Sequence, residues 1–301
     1  MKINLPVTQI ERPFPRGRYL VSKTDLKGAI TYANDTFVDI SGFSRDELIG
    51  TNHNLVRHPD MPPAAFGNLW DTVKAGRPWR GIVKNRCKNG DYYWVEALVV
   101  PVRRNNQTMG YMSVRVEPTR QQVTEAEALY RRLKESKAEL PGPTAWMRIP
   151  LATKLNALVL WLIASQVVGG AAYVLGAGLG LSGSAIDGLM MFFGLTSLAA
   201  GAGLLLMQRQ AMTIINRIVG RLDHVAQGDL TDAIPLHRVD ELGRLNDALV
   251  TTQAHLKVMI AEIAEASDRV GAAAADVSAR MGHHRQVAQS QSDAAGRISA
   301  A

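Results

Sequence analysis

Residues 79–102 read WRGIVKNRCKNGDYYWVEALVVPV, and the fold of the first third of the chain turns on them. From Arg80 to Lys88 the side chains alternate. Arg80, Lys84, Arg86 and Lys88 fall on one face, and Gly81, Val83, Asn85 and Cys87 on the other. A period of two means a strand. The turn Lys88-Asn89-Gly90-Asp91 then reverses the chain, and 92–102 returns as a second strand. The charged face is expected in solvent. The other face is expected inside, which puts the Asn85 amide in the interior, where it needs partners.

Upstream, Tyr19–Thr24 and Ala29–Ala33 flank the turn Asp25-Leu26-Lys27-Gly28, a second predicted hairpin. Asn34 caps a short helix, and Ser44 with Glu47 forms a capping box for another. Pro62-Pro63 open a helix that Gly76 ends. A last strand is expected at 110–117. Two strands, short helices, then three strands is an α+β order. On the last strand Tyr111, Ser113 and Arg115 are expected outward and Met112, Val114 and Val116 inward. Arg115 would then be free to meet Asp229, Asp232 or Asp240 further along the chain.

Three stretches carry a family resemblance: YANDTFVDISGFSRDELIGTNHNLVRHPDMPPAAFGNLW, RPWRGIVKNRCKNGDYYWVEALVVPV and GYMSVR, with VTQ near the start. Residues 7–118 thereby resemble the PAS domain of the bacterial aerotaxis receptors, the Aer family of PAS–transmembrane–HAMP chemoreceptors. The resemblance implies a PAS fold that holds flavin adenine dinucleotide, FAD, without a covalent bond. It also implies flavin-associated residues at Asn34, His53, Arg57, His58, Asp60, Phe66, Trp70, Trp79 and Asn85.

The residue types suit that ligand. A flavin needs an apolar slot, polar partners for its ring edge, and cations for its diphosphate. Trp70, Phe66 and Trp79 can wall the ring, Asn34 and Asn85 can serve the edge, and Arg57 and His58 can meet anionic oxygens with Asp60 orienting them. Plainer readings stand beside these. Phe66 and Trp70, four apart on a helix, are also ordinary core spacing, and Asp60 before Met61-Pro62 is also a turn residue. His53 and His58 could pair on a metal, but no carboxylate or thiol cluster joins them. Light-sensing flavin domains of the LOV type carry Gly-x-Asn-Cys-Arg. Here Gly50-Thr51-Asn52-His53-Asn54 puts histidine where that thiol would stand, and Cys87, the single cysteine, lies far along a strand. Redox reading is therefore expected rather than adduct photochemistry.

Between Lys154 and Arg209 the sequence has one charged residue, Asp187. A membrane span needs ~20 apolar residues, so two fit, near 155–178 and 186–207, with a Gly- and Ser-rich connector between. Arg148 and Lys154 precede the first span, and Arg209, Arg217 and Arg221 follow the second. The positive-inside rule then puts both termini in the cytoplasm, at the bacterial inner membrane. Residues 119–140 form an amphipathic linker, stopped by Pro141-Gly142-Pro143.

Beyond the spans, Ile215, Ile218, Leu222 and Val225 keep a 3/4 spacing. It resumes from Leu242 through Leu245, Leu249, Thr252, Leu256, Met259 and Ile263 to Ala266, Val270, Ala273 and Val277. Two such stripes around a short linker imply a parallel, dimeric four-helix bundle. Residues 208–262 resemble a HAMP domain, including Asp240-Glu241-Leu242-Gly243. They depart from it at Asn216-Arg217, where Arg-Pro is usual and where the helix register at the membrane exit is set. Residues 263–301 read as the start of a signalling coiled coil. The resemblance implies a homodimer that reaches a chemotaxis histidine kinase and its coupling protein through a signalling tip outside this sequence.

The net charge is +7, and residues 1–118 hold 17 Lys+Arg against 11 Asp+Glu. Without a dense basic run this points to an anionic membrane surface rather than to nucleic acid. No nucleotide-binding GxGxxG pattern and no nucleophile–base pair stands out, so a sensor is expected rather than an enzyme. The other reading is a PAS–HAMP module that senses a different small molecule or serves as a partner-binding adaptor.

Overall fold

The computed structural model describes residues 4–105, 107–136, 140, 142–176 and 178–299, with side chains described as far as 288. Residues up to 138 together with those from 254 onward form one compact unit, and 139–253 form a second.

The first unit is built on a five-stranded antiparallel sheet: β1 (Leu20–Thr24), β2 (Ile30–Ala33), β3 (Trp79–Arg86), β4 (Tyr92–Arg104) and β5 (Gln107–Val116), in spatial order β2-β1-β5-β4-β3. The turns form as their residues dictate. Asp25 Oδ1 accepts from the Lys27 and Ala29 amides. Gly90, at φ +100°, takes the left-handed conformation that the β3–β4 turn requires.

Between β2 and β3 run α1 (Asp35–Ser41), α2 (Arg45–Leu48), a 3-10 turn (His53–Val56) and α3 (Pro63–Lys74). The Asn34 side chain accepts from Phe37 N, and Ser44 and Glu47 close a reciprocal capping box. These elements cover one face of the sheet. The helix α4 (Arg120–Ser136) covers the other, burying Val123, Ala126, Tyr130 and Leu133, with the Tyr130 hydroxyl donating to the Ile82 carbonyl. The end expected for this helix, 137–139 and Pro141, lies outside the described residues.

A sheet covered on both sides corrects two expectations. Lys84 and Arg86 are not in solvent; they are 8% and 5% exposed. Lys84 Nζ reaches Asp60 at 2.7 Å and lies over the Tyr92 ring, while Arg86 donates to the Leu5 and Leu55 carbonyls. The faces of β5 are also the reverse of the expected ones. Ser113 pairs with Ser22 and Val99, and Tyr111 with Thr24 and Pro101, so Tyr111, Ser113 and Arg115 point inward. Met112 and Val114 share a face with Val100 and Leu98, and both are buried as well. Val114 belongs to the packed side, the polar residues of β5 belong to the interior of the domain, and Met112 also borders the cavity.

The same unit contains the C-terminal part of α8 (Glu241–Ser299). Lys23 pairs with Glu262 at 2.8 Å, Arg18 with Asp268 at 2.9 Å, and Arg45, bound to Asp35, stands 3.7 Å from Glu265. Partly exposed pairs like these add little stability each. They do fix which faces meet: β1 and α1 on one side, residues 262–268 on the other.

In the second unit a one-turn helix, α5 (Ala145–Arg148), precedes α6 (Leu151–Leu175) and α7 (Gly183–Ala226). Both long helices are apolar enough to cross a membrane, and only 11% of each apolar window is buried by protein. They approach through small and polar residues. Ser165 and Ser197 hydroxyls lie 2.6 Å apart, and Gln166 donates to Ser197. The second predicted span and the helix expected after it form one continuous helix, α7. After it, Leu230 and Ile234 of the connector are buried, and the buried Gln253 amide donates to the carbonyls of Leu230 and Asp232. Asp240 caps α8 by accepting from Gly243 N at 3.1 Å. Gly243 is held against the Arg238 carbonyl, where a Cβ would collide. That accounts for both ends of the Asp-Glu-x-Gly motif.

Candidate functional site

The inner face of the sheet and the α3 side of the domain enclose a cavity of about 440 Å³, within the ~300–1,000 Å³ range of small-molecule sites. α3 contributes Pro63, Phe66, Gly67, Leu69 and Trp70. The 3-10 turn and its flanks add Asn52, His53, Asn54 and Arg57. The strands supply Ser22 and Thr24, then Val83, Asn85, Ala97 and Val99, then Tyr111, Ser113 and Arg115. Aromatic rings form part of the wall. Trp70 meets Tyr111 edge to face at 5.5 Å, and Phe66 lies under the Arg57 guanidinium at 3.9 Å.

Lys27, Arg57 and Arg115 line this cavity, and no Asp or Glu does so among the described residues. Arg57 donates to the Met61 carbonyl, and burial pushes its pKa down to about 10. Arg115 is 3% exposed, and burial moves it down to about 10 as well. Arg115 Nη2 lies 2.6 Å from His53 Nε2. Arginine only donates, so that nitrogen accepts and His53 is neutral with its proton on Nδ1. Burial first and Arg115 second push His53 down to about 3. One buried polar atom on the cavity wall, Ser113 Oγ, has no protein partner, while the Asn85 amide lies against the Tyr93 hydroxyl of the neighbouring strand. An unmet buried polar atom is costly, so Ser113 Oγ marks a place where a ligand would bond.

Of the nine residues named from the sequence, the cavity brings together His53, Arg57, Phe66, Trp70 and Asn85. The other four lie elsewhere. Asn34 is absorbed by the backbone: its amide bonds Val21 N, Tyr19 O and Phe37 N, tying α1 to β1. His58 and Asp60 lie toward the α4 side of the sheet. His58 Nδ1 accepts from the Asp60 amide, its ring meets Tyr92 edge-on, and Asp60 pairs with Lys84 and with Lys134 at 3.7 Å. Burial, with Lys84 next, drives His58 down to about 4. Trp79 folds its indole over Gly81, where a Cβ would collide, and donates to Asn68 Oδ1 at 2.9 Å. It closes one edge of the domain and does not line the cavity.

Sequence reasoning missed Ser22, Thr24, Asn52, Asn54, Tyr111, Ser113 and Arg115 as cavity residues. The signal was present. Tyr111, Ser113 and Arg115, at every second position of β5, were read as an outward face, and a ligand face gives the same pattern.

The residues present fit a flavin. They offer aromatic side chains, an unmet hydroxyl at the sheet, and cations with no competing carboxylate among the described residues.

Comparison with known proteins gives the same architecture. Residues 30–115 match the family model of the PAS fold, and 206–257 that of the HAMP domain. The chain is 43% identical over 182 residues to the aerotaxis receptor of Escherichia coli (strain K12), covering 54% of this chain and 36% of that receptor. It is 33% identical over 82 residues to the nitrogen fixation regulatory protein of Klebsiella pneumoniae, covering 27% of this chain and 17% of that one. Among solved structures, a PAS domain from Colwellia psychrerythraea aligns at 24% identity with a TM-score of 0.29, covering 34% of this chain and 86% of that one. The chain thus spans 36% or less of the length of these two curated relatives. It carries a PAS fold followed by two long apolar helices and a HAMP domain.

Proposed function

We propose that this chain is a membrane-anchored sensor whose PAS cavity holds FAD, and whose HAMP helices pass the redox state of that flavin to a chemotaxis-type output. One observation carries the reading: an aromatic-walled cavity lined by three cations and, among the described residues, no carboxylate, with an unpartnered hydroxyl at Ser113. When bound, the flavin supplies reversible electron transfer; the chain's residues bind and orient it and set the charge around it. The likeness to the aerotaxis receptor of Escherichia coli supports sensing over catalysis.

In this reading α6 and α7 form a hairpin in the inner membrane with both termini in the cytoplasm. The chain works as a homodimer. The stripe Leu245, Met259, Ile263, Val270 and Val277 supports this, because each of these apolar side chains is at least 45% exposed in the single chain. In this reading output passes to a histidine kinase and its coupling protein. The contact of β1 and α1 with residues 262–268, rather than a pairing of Arg115 with Asp229, Asp232 or Asp240, is in this reading the route out of the PAS domain.

The absorption spectrum of the purified full chain tests the cofactor. Flavin bands that bleach on reduction support the reading, and a colourless, folded protein removes it in favour of a module for another small molecule. Reporter fusions at Ser182 and at the C-terminus test the topology, which fails if the C-terminal reporter is active outside the cytoplasm.

A further inference from the structure

We propose that the membrane exit of α7 carries a site for one anionic phospholipid, with Arg209, Arg217 and Arg238 on its phosphate and an adjoining apolar cavity on its glycerol and upper chains. The inference rests on the reading of α6 and α7 as a membrane hairpin and does not depend on the flavin.

Two cavities meet there. The first, of about 360 Å³, is lined by Leu206, Arg209, Gln210, Thr213 and Arg217 of α7 and by Arg238 of the connector. Arg209, Thr213 and Arg217 recur at every fourth residue and so share one face of the helix. No Asp or Glu lines this cavity among the described residues. Arg209 and Arg217 are exposed, and neither forms an ion pair with a described residue. Arg221, one turn further on, does have a counter-ion, Asp232 at 2.9 Å. Arg238 is held in place by Asp240, to which its Nε donates at 3.0 Å. The second cavity, of about 350 Å³, shares Gln210, Ile214 and Arg238 with the first. Most of its remaining wall is apolar: Trp146, Met147, Leu151, Met207, Val239 and Leu242. Lys154 Nζ stands 4.6 Å from the centre of the Trp146 ring, and Trp146 is 65% exposed.

The surroundings say what belongs there. The uncharged run of α7 ends at Gln208, so Arg209 opens the cationic face where the hydrocarbon gives way to phosphate. Arginine suits phosphate because its planar fork meets two oxygens at once. Basic residues scattered beside a span would need no cavity. Here a separate segment, the connector, adds Arg238 to the two arginines of α7, and an apolar compartment opens beside them. A cationic cavity joined to an apolar one fits a single molecule that is anionic at one end and apolar at the other. Inorganic phosphate would use only the first cavity. A zwitterionic lipid would bring a quaternary ammonium against the arginines. Tryptophan at the wall of the second cavity is a residue type that prefers the headgroup level. The bound headgroup would also join α7 to the connector, beside the Asp240 that caps α8.

The test uses the full chain purified in a neutral detergent, as wild type and as Arg217→Gln, Arg238→Gln and Arg148→Gln. Phosphatidylglycerol or phosphatidylcholine, labelled on an acyl chain, is titrated in, and energy transfer from tryptophan reads binding. Phosphatidylglycerol should bind saturably and at least tenfold more tightly than phosphatidylcholine. Arg217→Gln and Arg238→Gln should each weaken phosphatidylglycerol about fivefold, the loss expected for one cation at a lipid surface. Arg148 lies just before α6 and outside both cavities, so Arg148→Gln should keep the wild-type affinity. Arg217 makes no ion pair, so its variant carries the test if Arg238→Gln disturbs the cap of α8. Equal binding of the two lipids, or equal losses in all three variants, would overturn the site in favour of diffuse surface charge. Displacement of the lipid by millimolar inorganic phosphate or glycerol phosphate would make the ligand a free anion and overturn the lipid assignment. These outcomes leave the membrane reading intact. A chain recovered in the soluble fraction without detergent would overturn that reading and this site together.

Discussion

The two faces of the PAS sheet each bury a cation, and they treat it differently. On the α4 side, Lys84 has a carboxylate at 2.7 Å, Asp60, which Lys134 also approaches. On the cavity side, Arg115 has two hydroxyl contacts to one serine and a neutral histidine. The first arrangement is electrically complete and ties the loop that carries Arg57 and His58 to the sheet. The second is complete only when something else enters. Arg86, on the same face as Lys84, is answered by backbone carbonyls alone, so it is the opening of a cavity beside Arg115, and not the missing counter-ion by itself, that marks a candidate site.

Acid gives the largest expected effect, and it divides between the faces. His58 on the α4 side stays neutral down to about pH 4, and His53 on the cavity side down to about pH 3, whereas both titrate near 6.5 in the unfolded chain. Their folded values are depressed, so the stability from keeping them neutral is whole above pH 6.5 and is lost as pH falls through 6.5 toward 4 and 3. Lowering the pH from ~7.5 to ~5 should cost about 1–2 kcal/mol for each ring. Urea unfolding followed by tryptophan emission reads this. His58→Gln and His53→Gln should each remove about half of the slope, and an unchanged slope in the double variant would show that other groups carry it.

Next comes the pair on the α4 side. Asp60→Ala leaves Lys84 buried without its carboxylate and should destabilise the domain by about 1–3 kcal/mol. It should also lower flavin retention, because the loop carrying Arg57 loosens. If retention falls while the unfolding midpoint holds, Asp60 meets the ligand directly and the comparison of faces is wrong at this residue. Trp79→Phe removes the indole donor to Asn68 and should cost about 1 kcal/mol with flavin content nearly unchanged. The smallest loss of stability is expected at the cavity cation. Arg115→Met removes an unanswered buried charge, so the flavin-free chain should be as stable as wild type or up to about 2 kcal/mol more stable. A clear loss there would mean that Arg115 is structural.

Much of this architecture was legible in the sequence because local chemistry specified it. Asn34, the Ser44–Glu47 box, Pro63 and Gly90 fix element ends whatever the surroundings. The membrane helices were legible because a long uncharged run has few other uses. The sign of the sheet faces was not. Alternation on β5 tells which residues are together but not which way they point. Once α4 buries the second face, the apolar set no longer identifies the cavity side. The cavity residues named by resemblance were those with distinctive motifs, such as Arg57 and Asn85. Ser22 lies outside the stretches that carry the resemblance, and Ser113 and Arg115, though inside GYMSVR, were assigned to the outward face, so all three required the fold.

The central claim is that the cavity-side face is incomplete without an anionic, acceptor-bearing aromatic ligand. Fluorescence titration of the flavin-stripped full chain with FAD, and in parallel with riboflavin, tests it most directly. The prediction is saturable binding of one FAD per chain, with riboflavin, which lacks the phosphates, bound at least tenfold more weakly. No saturable binding of either compound, or equal binding of both, would contradict the account.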